Sequence, residues 1–282
     1  MIGTNGVERS GVYNSRESIN LPRGVVVKIV RSPRVYLVGR QTVDDRAVRQ
    51  FLTDNELSWQ TDTEVGAENL CEMAGRVCYM SFGQGRKTNE EYLGNIIGVH
   101  HGSVLEHAAW NFLITGVSRS FTHELVRHRA GFGYSQLSQR YVDESTCDFV
   151  EPACIADDPE LHTIWEESIR QSHQAYCRLV EGLALKYQDE PSATLRRKLA
   201  RQAARSVLPN ATETKIFVTG NGRAWRHFIE MRATEHAEIE IRAAAILILR
   251  VLQKEAPNIF GDYQIEELPD GTEAARTPNI KV

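Results

Sequence analysis

The sequence predicts an α+β fold, and three observations predict it. Short alternating or β-branched stretches are scattered among longer amphipathic ones, no regular βαβ alternation links them, and the second half is mostly helical in its periodicity. A chain of 282 residues with 41% hydrophobic and 25% charged residues has an ordinary globular composition. We expect one folded unit over residues 24–256, between a flexible polar stretch at 1–23 and a tail at 257–282 broken by Gly and Pro.

The elements follow in order. Val25 to Val38 is rich in β-branched residues and predicts one or two strands, while Glu68 to Val77 and Asn89 to Ile97 read as helices. From Ala108 to Val117, Trp110, Phe112 and Ile114 share one parity and Asn111 and Thr115 the other, the alternation of a half-buried strand. Ser118 is a natural N-cap for a helix carrying Phe121, Leu125 and Val126 toward Arg129, and Ala130-Gly131-Phe132-Gly133 then interrupts the pattern as a glycine loop. Leu161 to Tyr187 and Leu195 to Val207 each carry a periodic apolar face, with Pro209 closing the second. Thr212 to Thr219 reads as a strand. Asn221 to Met231 and His236 to Leu252 read as two further helices, the last apolar enough to lie in a core.

Composition narrows the function. The longest apolar run, Ala243 to Leu249, falls far short of the roughly 20 residues that cross a bilayer, and no signal-peptide core opens the chain, so we expect a cytoplasmic protein with no membrane partner. A net charge of -4 argues against nucleic acid as a partner. Five cysteines, odd in number and without a C-x-x-C pair, suggest neither a disulfide framework nor structural zinc. Basic side chains nonetheless crowd into 119–140 (Arg119, His123, Arg127, His128, Arg129, Arg140) and again into 223–236, which in an acidic protein points to small anionic ligands.

Consecutive helical residues point about 100° apart, so Arg127-His128-Arg129 serves one contact only if its helix ends there. Planar guanidinium forks suit phosphate or a reduced, anionic ring; a solvated helix end is the plain alternative. Ser135 to Tyr141 adds hydroxyl, amide, guanidinium and phenol groups at a density suited to a phosphorylated ligand. His123-Glu124-Leu125-Val126-Arg127-His128 nearly spells the zinc-protease motif, but its second histidine stands at i+5, about 140° off the required face, and no metal site is expected. Gly131 and Gly133 lack both the third glycine of a dinucleotide loop and the lysine of a P-loop. On a straight helix Arg223 and Arg232 face opposite sides, so one helix can serve two sites.

Three ordered segments, His101 to His107, Arg127 to Tyr141 and Asn221 to His236, together resemble the flavin-dependent thymidylate synthases, whose signature is R-H-R, a spacer, then a serine followed by x-R-Y. The resemblance runs from about Val77 to Leu249. It implies a twisted, mainly antiparallel sheet with packed helices and a homotetramer with shared sites. It also implies the reaction: FAD reduced by NADPH, methylenetetrahydrofolate as one-carbon donor, and a methyl group placed on carbon 5 of dUMP or UMP. By matching position, Ser103, Glu106, Arg127, His128, Arg129, Asn221, Arg223, His227 and His236 correspond to the FAD shell. Glu124, Gln136, Ser138, Gln139, Arg140, Arg205 and Arg232 correspond to the nucleotide site, and His101 and Tyr141 to the folate side. Arg232 is assigned the catalytic role of stabilising charge on the uracil ring. Ser138, with no base fixed beside it, is assigned to binding.

The signature departs from the family pattern at one place. Eight residues, Ala130 to Leu137, precede Ser138 where the family usually has seven, and glycine replaces the usual serine. The longer loop offers a way to admit a ribose, and some enzymes of this type methylate UMP in nucleoside-antibiotic pathways. A non-catalytic flavin- or uridylate-binding protein is the third reading; the retained Arg232, Arg140 and Tyr141 argue against it.

Overall fold

A computed structural model describes residues 17–21 and 24–282. In chain order it opens with β1 (Ser18–Leu21), β2 (Val25–Val30), β3 (Arg34–Arg40), α1 (Asp45–Asp54), α2 (Gly66–Tyr79) and α3 (Asn89–Gly98). A 3-10 turn (Gly102–His107) leads into β4 (Ala109–Ser118), α4 (Arg119–Leu125), β5 (Phe132–Gln136) and β6 (Phe149–Val150). Then come α5 (Ala153–Ala156), α6 (Pro159–Lys186), α7 (Ala193–Ala204), β7 (Glu213–Asn221), α8 (Gly222–Arg232) and α9 (Ile239–Glu255). The chain closes with α10 (Pro257–Phe260), β8 (Gln264–Glu267) and β9 (Glu273–Arg276). Contacts divide it into two compact units: the described residues up to Ser32 with Gln139–Thr212, and Pro33–Ser138 with Glu213–Val282.

In the first unit β1 runs antiparallel to β2, and β2 parallel to the short β6. Alternation turns Ile19, Leu21, Val27, Ile29 and Phe149 inward against Ile169 of α6. The long α6 starts sharply because Asp158 accepts from the amides of Glu160 and Leu161 and Pro159 takes the first helical position. It buries only Ile169, His173 and Tyr176, one narrow stripe. Ser192 caps α7 through the Leu195 amide.

The second unit is built on an antiparallel sheet of order β3-β4-β7-β5. The expected parity holds: Trp110, Phe112 and Ile114 of β4, with Ile216 and Val218 of β7, are buried. They join Trp225, Phe228 and Ile229 of α8 and the apolar stripe of α9, including Ile241, Ala245, Ile248, Leu249 and Leu252, in one core. At about 1.5–3 kcal/mol for each large side chain buried, this core dominates the stability of the unit.

Several expectations need correction. The stretch at 1–23 was expected to be unstructured, yet Ser18–Leu21 forms β1; residues 1–16 and 22–23 lie outside the described residues. The stretch 257–282, expected as a tail, is packed: Ile259, Phe260, Tyr263, Ala274, Ala275 and Val282 are buried. Its Gly and Pro residues punctuate a short helix and a hairpin rather than ending the fold. The helix expected from Ser118 to Arg129 ends at Leu125, and the one expected from His236 starts at Ile239. The expected glycine loop is only a turn, since Phe132 already pairs with Gly220 in β5.

Candidate functional site

Ser118 begins the site. Its hydroxyl accepts the Phe121 amide at 3.1 Å and caps α4, while its own N–H and O–H both donate to the Glu240 carboxylate at 2.6 Å. After about two turns the helix closes: the amides of Arg127 and His128 bond back to the Glu124 and Leu125 carbonyls. The Tyr134 phenol of β5 shares its single proton between the Leu125 and His128 carbonyls, at 3.0 and 2.5 Å, and so adds a donor at the helix end. Burial pushes the phenol's pKa up, which keeps it a donor. The three basic residues therefore stand beyond a helix end and fan apart.

His128 turns inward, its ring edge-on to Phe132, His227 and Phe228. Its Nε2 accepts from Arg232 Nε at 2.9 Å, and because arginine has no acceptor this nitrogen carries no proton. Desolvation first, then the Arg232 guanidinium and the neighbouring His227 ring, hold its pKa down at about 4 from an ordinary 6.5. Arg232 Nη1 donates to Glu124 Oε2 at 2.6 Å. Arg232 is thus gripped from two sides by α4 and the turn after it, and its Nη2 has no protein partner among the described residues. By contrast Arg127 and Arg129 are exposed, and neither has a carboxylate within ion-pair distance among the described residues; Arg127 Nε bonds only to the His123 carbonyl at 3.1 Å.

Asn221 is the N-cap of α8, accepting the Ala224 amide at 2.8 Å, and its own amide donates to the Gly131 carbonyl at 3.1 Å. Gly131 sits at φ +73°, and a Cβ there would come within 2.7 Å of Asn221 Nδ2 and 2.8 Å of Ala224 Cβ, so the turn into β5 requires glycine. Gln136 Nε2 donates to Thr122 Oγ1 at 3.0 Å. At the first turn of α8, Arg223 Nη1 meets Glu106 Oε1 at 2.8 Å, with Ser103 and His101 exposed on the neighbouring 3-10 turn and its lead-in. Arg223 stands in the first turn of α8 and Arg232 at its last residue, with separate partners. His227 is exposed but close to His128, whereas His236, in the loop before α9, has a side chain 88% exposed and lies 3.5 Å from the Glu235 carboxylate.

The remaining candidates other than Ser138 belong to the first unit. Gln139 is buried and Ser138, at the edge of the second unit, is half-buried. The Arg140 guanidinium lies 5.7 Å from the Tyr141 ring centre, and Arg205 is exposed just past the end of α7. Two residues here were missed from sequence. Lys198 of α7 lies 5.3 Å from the centre of the Tyr141 ring and pulls the phenol's pKa down through a hydrogen bond, and Arg201 donates to the Tyr141 carbonyl at 2.7 Å and to Asp143 at 2.8 Å. The available signal was their spacing: Lys198, Arg201 and Arg205 recur at i, i+3 and i+7, which makes one basic face.

A sequence profile described as thymidylate synthase complementing protein matches residues 61–258. The flavin-dependent thymidylate synthase of Mycobacteroides abscessus is 54% identical over 237 residues, covering 83% of this chain and 94% of that protein. The chain belongs to the flavin-dependent thymidylate synthase family. Relatives of the same printed name from Mycolicibacterium vanbaalenii and Mycobacterium tuberculosis are 54% and 52% identical over 235 residues, each covering 82% of this chain and 93% of the relative. Membership in this enzyme family agrees with the antiparallel sheet and with the sequence signature. The matched span includes every candidate residue named from sequence. No helix among the described residues is long and apolar enough to cross a membrane.

Proposed function

We propose that this protein reductively methylates carbon 5 of the uracil ring of dUMP, giving dTMP, with FAD as cofactor, NADPH as reductant and methylenetetrahydrofolate as one-carbon donor. The observation that carries the reading is Arg232: a cation fixed by a neutral histidine and a carboxylate, with one edge of its guanidinium left for a ligand. A charge held in place before the reaction stabilises developing negative charge at little reorganisation cost.

The donor set fits a flavin nucleotide. Arg127 and Arg129 lack acidic partners among the described residues, Ser103 and His227 are exposed, and Asn221 stands at a helix start, so the surface is rich in donors for pyrophosphate and for a reduced, anionic ring. When bound, the flavin supplies the hydride that turns the transferred carbon into a methyl group. This chain's residues do the rest in our reading. Arg127, Arg129 and Arg223 hold the cofactor's anionic parts. Arg140, Arg205, Lys198 and Arg201 supply cations for phosphate, Gln136, Ser138 and Gln139 fix the nucleotide, and His101 and Tyr141 shape the folate side. Arg232 polarises the uracil carbonyl as carbon 5 attacks the one-carbon unit. His128, neutral, keeps Arg232 oriented without competing as a second cation.

Arg127, Arg129, Ser103, Arg223, His227 and Arg205 are exposed, and a cavity of about 940 Å³ lined by Arg40, Trp59, Trp110 and Lys254 contains none of the donors. That openness supports sites completed by other copies of the chain in a cytoplasmic homotetramer. A second reading, UMP as substrate in a nucleoside-antibiotic pathway, is favoured by the extra spacer residue and by open space around Gly133, whose Cβ would meet nothing nearer than 4.0 Å. NADPH oxidation by FAD-loaded protein tests both. A rate that rises with dUMP supports the first reading and one that rises with UMP the second, while a rate indifferent to either nucleotide defeats both.

A further inference from the structure

Residues 277–282 run back along α8, from its last turn to its first. β9 is tied to the end of α8, where Ala275 N donates to the Ala233 carbonyl at 2.7 Å. Thr277 Oγ1 and Asn279 Nδ2 then donate to Asp262 Oδ2 at 2.6 and 2.9 Å. The same carboxylate pairs with the buried Arg226 guanidinium of α8 at 2.7 and 2.8 Å. Arg226 Nη2 also donates to the Asn279 carbonyl at 3.2 Å. Lys281, at φ +60°, donates its N–H to Glu230 Oε2 at 2.9 Å. Val282, 7% exposed and part of the main core, reaches the first turn of α8, where its main-chain oxygen accepts from Arg223 Nε at 3.3 Å. Gly102 is packed so closely against this end that a Cβ would stand 2.3 Å from the Val282 carbonyl carbon and 3.0 Å from Arg223 Nε.

Arg223 is therefore held through Nε by Val282 and through Nη1 by Glu106. The two restraints are unequal. Arg223 and Glu106 have side chains 47% and 46% exposed, and an ion pair so open to solvent fixes geometry weakly. The Val282 oxygen belongs to a buried residue tied down through the Lys281 N–H and the Asn279 carbonyl.

We propose that Ile280–Val282 is part of the cofactor site: a positioning strap that presets Arg223 and the Gly102-Ser103 turn for the anionic portion of a flavin nucleotide. The inference rests on Arg223 being a flavin contact. A long side chain loses rotamer freedom on binding, and a guanidinium already anchored along one edge offers its other edge without that loss.

The test is a titration of flavin-stripped protein with FAD, followed by quenching of FAD fluorescence, with thermal unfolding measured alongside. The proteins are wild type, a variant lacking Ile280–Val282, Glu230→Ala, Arg223→Ala, and the deletion combined with Arg223→Ala. The deletion spares the Asp262 network of Thr277 and Asn279. It should raise the FAD Kd about fivefold to tenfold, the upper part of the range for losing one ordinary hydrogen bond. Glu230→Ala, which frees Lys281, should shift the Kd in the same direction by less, and it carries the test alone should the deletion not fold. In the Arg223→Ala background the deletion should add nothing. A deletion or Glu230→Ala protein with unchanged Kd, while Arg223→Ala binds weakly, overturns the strap and leaves the flavin reading standing. A full further loss on top of Arg223→Ala also overturns it, because the segment then acts by another route. An unchanged Kd in Arg223→Ala removes Arg223 from the flavin site and the strap with it.

Discussion

Arg232 and His128 form one unit at the residue scale, and each has its own prediction. Arg232→Ala should keep flavin binding and lose about 10²–10³ in turnover, the range for removing one transition-state donor, as read by methyl transfer beside the flavin absorbance. Turnover within tenfold of wild type would remove Arg232 from the role given to it. His128 predicts a pH effect whose sign follows from its lowered pKa. The unfolded chain takes up a proton near pH 6.5, the folded one only near 4, so stability is full above 6.5 and is lost as pH falls through that window. The loss should be on the order of 1 kcal/mol for a half-exposed ring once solvent screening is allowed for. Urea unfolding at pH 7 and pH 4.5 should show a smaller drop in His128→Asn than in wild type, and equal drops would refute the assignment. The residue types of this pair were legible in sequence, because R-H-R and the helix from Asn221 both stood out. Their coupling was not: Arg232 and His128 are 104 positions apart, and only the sheet brings them to 2.9 Å.

At the scale of elements, the turn between α4 and β5 sets the geometry of the basic residues. Tyr134→Phe should cost about 1–2 kcal/mol, because two helix-end carbonyls lose their shared donor, and differential denaturation against wild type measures it. Gly131→Ala should cost more, since the methyl meets Asn221 and Ala224 and the backbone conformation disfavours a side chain. Wild-type stability in Gly131→Ala would mean that the turn re-forms another way. Sequence reading placed the long helices and the strands β4 and β7 well, because their periods of 3.6 and 2 run long enough to be unambiguous. It failed on β5, where two glycines in four residues read as a loop. The register with β7 overrides that local preference, as sheet pairing often does.

Across the whole molecule, the segment after Pro257 shows why the boundary near 256 was misjudged. Gly261 and Gly271 mark turns inside packed structure, and the buried side chains between them are too few to show a period. Phe260→Ala should cost about 3–5 kcal/mol, a core-cavity loss that a peripheral tail would not show, and chemical denaturation measures it. The quaternary proposal has its own check: light scattering should give a mass near four times 31.8 kDa, and a monomer that still turns over would contradict shared sites. The most direct test of the central claim is transfer of label from methylene-labelled tetrahydrofolate to dUMP, with NADPH, in the presence and absence of FAD. We predict labelled dTMP only when FAD is present, and almost none from Arg232→Ala. Label transfer without FAD, or none to dUMP or UMP with it, would contradict the account.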